Sequence, residues 1–182
     1  SFAWVQGVLL TIFDVTDPAH PQILKVNGQD AREVIGGRGT YSEANNNPKA
    51  FNFYRDRNAL AFPIDLYDGH TTGPDYGSHS FTGLYVYRVT VEKGFEKLGQ
   101  IASAEGVTSN DCFQGYYGTT RGVFIGNNVY GVTDRGVKAA SLDSVSTLLG
   151  QVTFADAQAP IQDCFWATNM PVIALPPSSD LR

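Results

Sequence analysis

A block of roughly fifty residues occurs twice in this chain, and a shorter match precedes both. One copy reads Gly83-Leu84-Tyr85-Val86-Tyr87-Arg88-Val89, then Leu98-Gly99-Gln100-Ile101, then Asp111-Cys112-Phe113. The other reads Gly136-Val137-Lys138-Ala139-Ala140-Ser141-Leu142, then Leu149-Gly150-Gln151-Val152, then Asp163-Cys164-Phe165. The matching elements are offset by 53, 51 and 52 positions. Three elements that keep their spacing within two residues mark a true internal repeat. A unit of this period, built from short strands, stacks on its neighbours because it cannot bury its own apolar faces alone.

The strands themselves indicate the architecture. Ala50 to Tyr54, a turn at Arg55 to Asn58, and Ala59 to Ile64 form a hairpin. Gly83 to Val91 and Phe95 to Ala102 supply a third and a fourth strand. In the second copy, Gly122 to Ile125, a turn at Gly126-Asn127-Asn128, and Val129 to Val132 form the hairpin, followed by strands near 136–142 and 147–154. Four-stranded meanders at this period predict an all-β fold, a partial β-propeller of antiparallel blades. The nineteen Gly and nine Pro suit short strands joined by turns. Val137 to Gly150 is the nearest approach to an amphipathic helix, but Asp143-Ser144 reads as a hairpin turn.

The N-terminus supplies only half a blade. Gly7 to Val15 matches a third strand and Gln22 to Val26 a fourth, with nothing for the first two. Pro171-Val172-Ile173-Ala174-Leu175 stands where the first strand of a following blade belongs. The expected layout is an incomplete blade over 1–27, a long loop over 28–48, blades over 49–102 and 119–154, and a tail over 155–182. Half a blade, two blades and the start of another cannot close a ring. The chain also starts at Ser1 rather than Met, so the expectation is a fragment of a longer protein, or a partner that supplies the remaining blades.

Composition removes two classes of partner. A net charge of −5 without a basic run argues against nucleic acid. No stretch nears the roughly twenty apolar residues of a membrane-spanning helix.

Three segments carry a family resemblance: Phe13-Asp14-Val15-Thr16-Asp17-Pro18-Ala19-His20-Pro21, Ile35 to Ala44 with its Arg38-Gly39-Thr40-Tyr41-Ser42-Glu43-Ala44 run, and Lys49-Ala50-Phe51. With Arg121 to Ile125 and Gly136 to Ala139, they resemble the C-terminal part of secreted bacterial and archaeal proteins that carry a β-propeller distantly related to WD40. The resemblance covers about residues 8 to 154. It implies the fold and an extracytoplasmic location, but no activity. A His often precedes the Lys-Ala-Phe run in that family; Pro48 stands there in this chain, so no role of that His carries over.

Several residues are candidates for chemistry. Cys112 and Cys164 occupy equivalent repeat positions, and equivalent sites on neighbouring blades lie side by side. A disulfide between them is possible if their Cα atoms fall within about 7 Å, and the implied extracytoplasmic setting favours it. The alternative is two buried thiols in repeated core positions.

Asp14 and Asp17 read as turn-capping residues, their carboxylates accepting from nearby backbone N–H groups. A Ca²⁺ site there needs further oxygen ligands that the sequence does not place.

The segment from Phe62 to Gly83 is longer than its counterpart from Val132 to Gly136 and reads as an inserted loop. It gathers Asp65, Asp68, His70, Asp75 and His79, side chains suited to a divalent metal, although no ligand-spacing motif is present. A solvated polar loop has the same composition. Gly36-Gly37-Arg38-Gly39 lacks the strand-then-helix setting of a phosphate loop and reads as turn glycines, with Arg38 and Glu43 as a candidate ion pair.

No Gly-x-Ser-x-Gly elbow and no His in a triad setting is present, so the leading reading is non-enzymatic: an extracytoplasmic propeller segment that scaffolds protein–protein contact, without a resident cofactor. The rivals are a metal-dependent or hydrolytic site on the 65–80 segment, and carbohydrate binding through Tyr67, Tyr76, Tyr116 and Tyr117.

Overall fold

Strict alternation along two adjacent strands decides how the layers stack. In the computed structural model, which describes residues 7–69, 78–103 and 121–154, the centre is a four-stranded antiparallel sheet. Its strands are β7 (Asn52–Tyr54), β8 (Ala59–Asp68), β9 (Ser78–Thr90) and β10 (Gly94–Ala102), each paired with the next in chain order. Successive side chains on a strand point to opposite faces. Ala59, Ala61, Leu84 and Val86 therefore line one face, while Leu60, Phe62, Ile64, Tyr85 and Tyr87 line the other, and all nine are buried. A sheet with both faces covered must lie between two neighbours.

One neighbour is a second four-stranded meander: β11 (Arg121–Ile125), β12 (Asn128–Val132), β13 (Gly136–Ser141) and β14 (Ser144–Thr153). Val129, Ala140, Leu142 and Val145 from this sheet close over the small-residue face of the first. Gly122 marks the closest approach, since a Cβ there would sit 2.5 Å from the Cβ of Ala61. The stacked rings of Tyr54 and Phe124, 5.6 Å apart, fill the adjoining space.

The other neighbour is N-terminal. β1 (Val8–Thr11) pairs with β6 (Arg32–Ile35), and Val8, Leu10 and Ile35 cover the aromatic face of the central sheet. β2 (Phe13–Asp14) continues β1 and pairs with β3 (Gln22–Ile23). The strand opposite residues 8–14 is thus made of two pieces. Between them stands a small hairpin of β4 (Lys25–Val26) and β5 (Gln29–Asp30), and Ala31 N donates to Leu24 O at 2.8 Å across its base. Its turn is Asn27-Gly28, both at positive φ (51° and 81°), the geometry that two-residue hairpin turns require.

This arrangement corrects the expectation for residues 28–48. They are not one long loop: Gly28 closes a hairpin, and β5 and β6 follow before the chain turns irregular. The fourth strand expected over Gln22 to Val26 pairs as foreseen at Gln22–Ile23, then detours and resumes as far as Ile35. Among the described residues there is no α-helix, and no helix is long and apolar enough to cross a membrane. Val137 to Gly150 is two strands turning at Leu142-Asp143. The tail expected over 155–182 lies outside the described residues.

Candidate functional site

The segment expected as an inserted loop is mostly hairpin. β8 and β9 keep pairing outward through Asp65↔Thr82, Leu66↔Phe81, Tyr67↔His79 and Asp68↔Ser78, with a bulge between Leu66 and Tyr67. Among the described residues, 65–68 and 78–82 of the extra length extend the two strands, because a hairpin lengthens without disturbing its base. On this extension the Thr82 hydroxyl donates to Asp65 Oδ1 at 2.6 Å, and His79 Nε2 lies 2.8 Å from the same hydroxyl oxygen. Thr82 has one proton, already given to the carboxylate, so Nε2 is the protonated nitrogen of His79. The imidazole is also held edge-on to the Tyr67 ring at 5.1 Å. Burial, and then the charge of Asp65, push the Tyr67 phenol above its ordinary range.

A strap formed by residues 36–47 lies along the outer half of β8. β7 pairs with β8 only through Ala61, which leaves the edge of β8 unpaired beyond that point. Pro63 has no N–H to satisfy, and its carbonyl accepts from the buried Ser42 hydroxyl at 2.6 Å. Tyr41 and Asp65 exchange backbone hydrogen bonds at 3.0 and 2.9 Å. Gly37 N donates to Tyr67 O at 2.7 Å, and the Thr40 hydroxyl both donates to Tyr67 O and accepts from Tyr67 N. The Gly-Thr-Tyr-Ser run thus completes a sheet edge, which explains its polar character.

The strap also reaches the second sheet. Arg121 grips Glu43 with two parallel bonds of 2.7 Å, and Asn47 adds a third to the same carboxylate. Glu43 therefore pairs with Arg121 across the sheets. Fork-to-fork geometry makes this one of the stronger kinds of ion pair. The Arg121 hydrogen bonds hold the Glu43 carboxyl below its ordinary range. The pair is therefore complete above the unfolded carboxyl value of about 4.3 and is lost as pH falls through the lower folded value. Arg121→Ala is expected to cost ~2 kcal/mol at neutral pH. That deficit should shrink as pH falls below the unfolded carboxyl value and through the lowered folded one, as measured by urea unfolding at neutral and progressively acid pH.

A third tie crosses on the other side, where the Tyr87 hydroxyl donates to Glu33 Oε1 at 2.7 Å. Burial first, and this bond second, drive the Tyr87 phenol far above its ordinary range.

Of the five residues considered for a metal, Asp65 and His79 meet through Thr82, and Asp68 stands exposed at the end of β8. His70 and Asp75 lie outside the described residues. Among the described residues, no three His, Cys, Asp or Glu side chains gather as a metal site would require. Asp14 accepts from the Thr16 N–H and hydroxyl at 2.9 and 2.6 Å. Asp17 accepts from Ala19 N at 3.0 Å and lies 2.8 Å from His20 Nδ1. Cys112, Cys164, Tyr76, Tyr116 and Tyr117 lie outside the described residues.

Sequence reasoning missed the Glu43–Arg121 and Tyr87–Glu33 ties. Alternation puts Tyr85 and Tyr87 on one face, but no local pattern names partners 78 or 54 positions away.

What remains is surface. The far face of the last sheet shows Val123, Ile125 and Val152, with Val152 65% exposed. At the other end, Leu9 and Val34, cross-strand partners, are 57% and 63% exposed. Scattered exposed apolar residues are ordinary. Here they occupy the strand positions that elsewhere in the stack meet a neighbouring sheet.

Sheets that are successive meanders, stacked face to face and apolar at both ends, are those of a propeller. Residues 1–145 match the family model described as Beta propeller domain, and the chain belongs to that family. No curated protein and no solved structure matches it.

Proposed function

We propose that this chain is a non-enzymatic, extracytoplasmic propeller segment that scaffolds protein–protein contact, its end faces docking further blades. The observation that carries the reading is the outward pair Leu9 and Val34 on β1 and β6. The opposite side of the same two strands is buried against the central sheet. A further blade there would bury the outward face by the same physics, and main-chain pairing along open edges adds specificity. The extracytoplasmic setting is supported by the family resemblance and bears on Cys112 and Cys164, which we assign as a disulfide.

The test is chemical cross-linking of the native protein through a photoreactive residue at Val34. Cross-links to one defined blade-forming polypeptide, in one-to-one ratio, and their loss in Leu9→Glu are expected. A monodisperse monomer that forms no cross-link at Val34 would overturn the reading.

A further inference from the structure

β10 is an edge of the central sheet: β9 pairs with one side of it, and no other described strand pairs with the opposite side. Antiparallel pairing alternates, so the groups it turns outward can be assigned. Ser103 N donates to Thr82 O at 3.0 Å. Ile101 and Gly99 therefore turn their N–H and C=O toward Leu84 and Val86, while Gln100 and Ala102 turn theirs outward. Lys138 of the neighbouring sheet marks the same direction, its Nζ donating to Ala102 O at 2.9 Å.

A groove of about 580 Å³ wraps this edge. Phe81, Lys97 and Gln100 line it from the aromatic face of the central sheet, and Lys138, Ser146 and Leu148 line it from the next sheet. An added strand needs this arrangement: its main chain pairs with the outward backbone, and its alternate side chains meet the two walls.

Charge selects the occupant. Lys97 and Lys138 are the charged residues of the lining, and no Asp or Glu is among the described residues there. Lys97 Nζ lies 3.4 Å from the centre of the Tyr85 ring and donates to Gln100 Oε1 at 2.9 Å, contacts that hold the ammonium in place without neutralising it. Its sequence neighbour Glu96 pairs with Lys93 at 3.2 Å, and Glu33 accepts from the Tyr87 hydroxyl. Burial outweighs the charge of Glu33 and draws the Lys97 ammonium below its ordinary range, so an arriving carboxylate is favoured there.

We propose that this edge takes an acidic, extended segment of a partner protein as an added strand, its main chain paired with Gln100 and Ala102 and its carboxylates against Lys97 and Lys138. The proposal deepens the scaffold reading and rests on it for the nature of the partner. It places a contact at a sheet edge rather than on an end face.

The test uses the full 182-residue chain and a fluorescein-labelled peptide, Thr-Glu-Glu-Thr-Glu-Glu-Thr, whose adjacent Glu pairs put carboxylates on both faces of a strand. Fluorescence anisotropy at low ionic strength should show saturable, one-to-one binding. The double variant Lys97→Met, Lys138→Met should weaken it at least about tenfold, as should Gln in place of every Glu of the peptide. The same peptide N-methylated throughout keeps its charges but loses its main-chain donors, and it too should bind at least about tenfold more weakly. That comparison uses the parent protein, so it holds even where the double variant fails to fold. No saturable binding, binding that a folded double variant retains in full, or binding indifferent to N-methylation overturns the proposal. Cross-linking at Val34 reads the end face whatever happens at this edge, so the two failures are distinguishable.

Discussion

Phe62→Ala should be the most damaging aromatic truncation among the described residues, with a loss of about 3–5 kcal/mol. Phe62 is 1% exposed at the centre of β8, its ring stacked between Tyr87 at 5.9 Å and Phe51 at 6.4 Å. It belongs to the aromatic face that holds the N-terminal strands, so the cavity opens where three units of the fold meet. Relaxation is limited because β8 is pinned on one edge by β9 and on the other by β7 and the strap. Urea unfolding gives the loss directly. A loss under about 1 kcal/mol would mean that the interface refills, contrary to the close packing expected of a protein interior.

Gly122→Leu should approach the same size for the opposite reason. A Cβ at residue 122 falls 2.5 Å from the Ala61 Cβ and 3.2 Å from both Leu84 methyls. The Ala61 Cβ cannot swing aside, so the two sheets must part. Overpacking typically costs about 1–3 kcal/mol, and a loss near or above the top of that range is expected here. Gly150→Ala is the control. A Cβ there meets nothing within 4 Å, and the backbone is not in the left-handed region, so thermal stability should be unchanged or slightly raised. If Gly122→Leu melts with the parent protein, the sheets are not in the contact described.

The parts legible in the sequence are those governed by local rules. Alternation marked β8, β9, β12 and β13, and polar turns at Arg55 to Asn58 and Gly126-Asn127 marked where each hairpin reverses, because strand period and turn chemistry act over a few residues. The Asn27-Gly28 signal was equally local. The expected boundary between residues 27 and 28 cuts through it, because the repeat template has no hairpin at that point. The Phe62 to Gly83 stretch failed the other way. A length difference between copies cannot tell a longer loop from longer strands, and only the register of Asp65 with Thr82 does. Pairings such as Glu43–Arg121 depend on how whole sheets stack and leave no local trace.

The detour at residues 25–30 separates chain length from sheet register. The two pieces opposite residues 8–14 stay in step because Leu24 and Ala31 are tied to each other, not because of what lies between them. The ladder on either side is therefore blind to how many residues the excursion holds. This is a port where foreign sequence can be grafted, or native sequence trimmed, while the strands around it keep their partners.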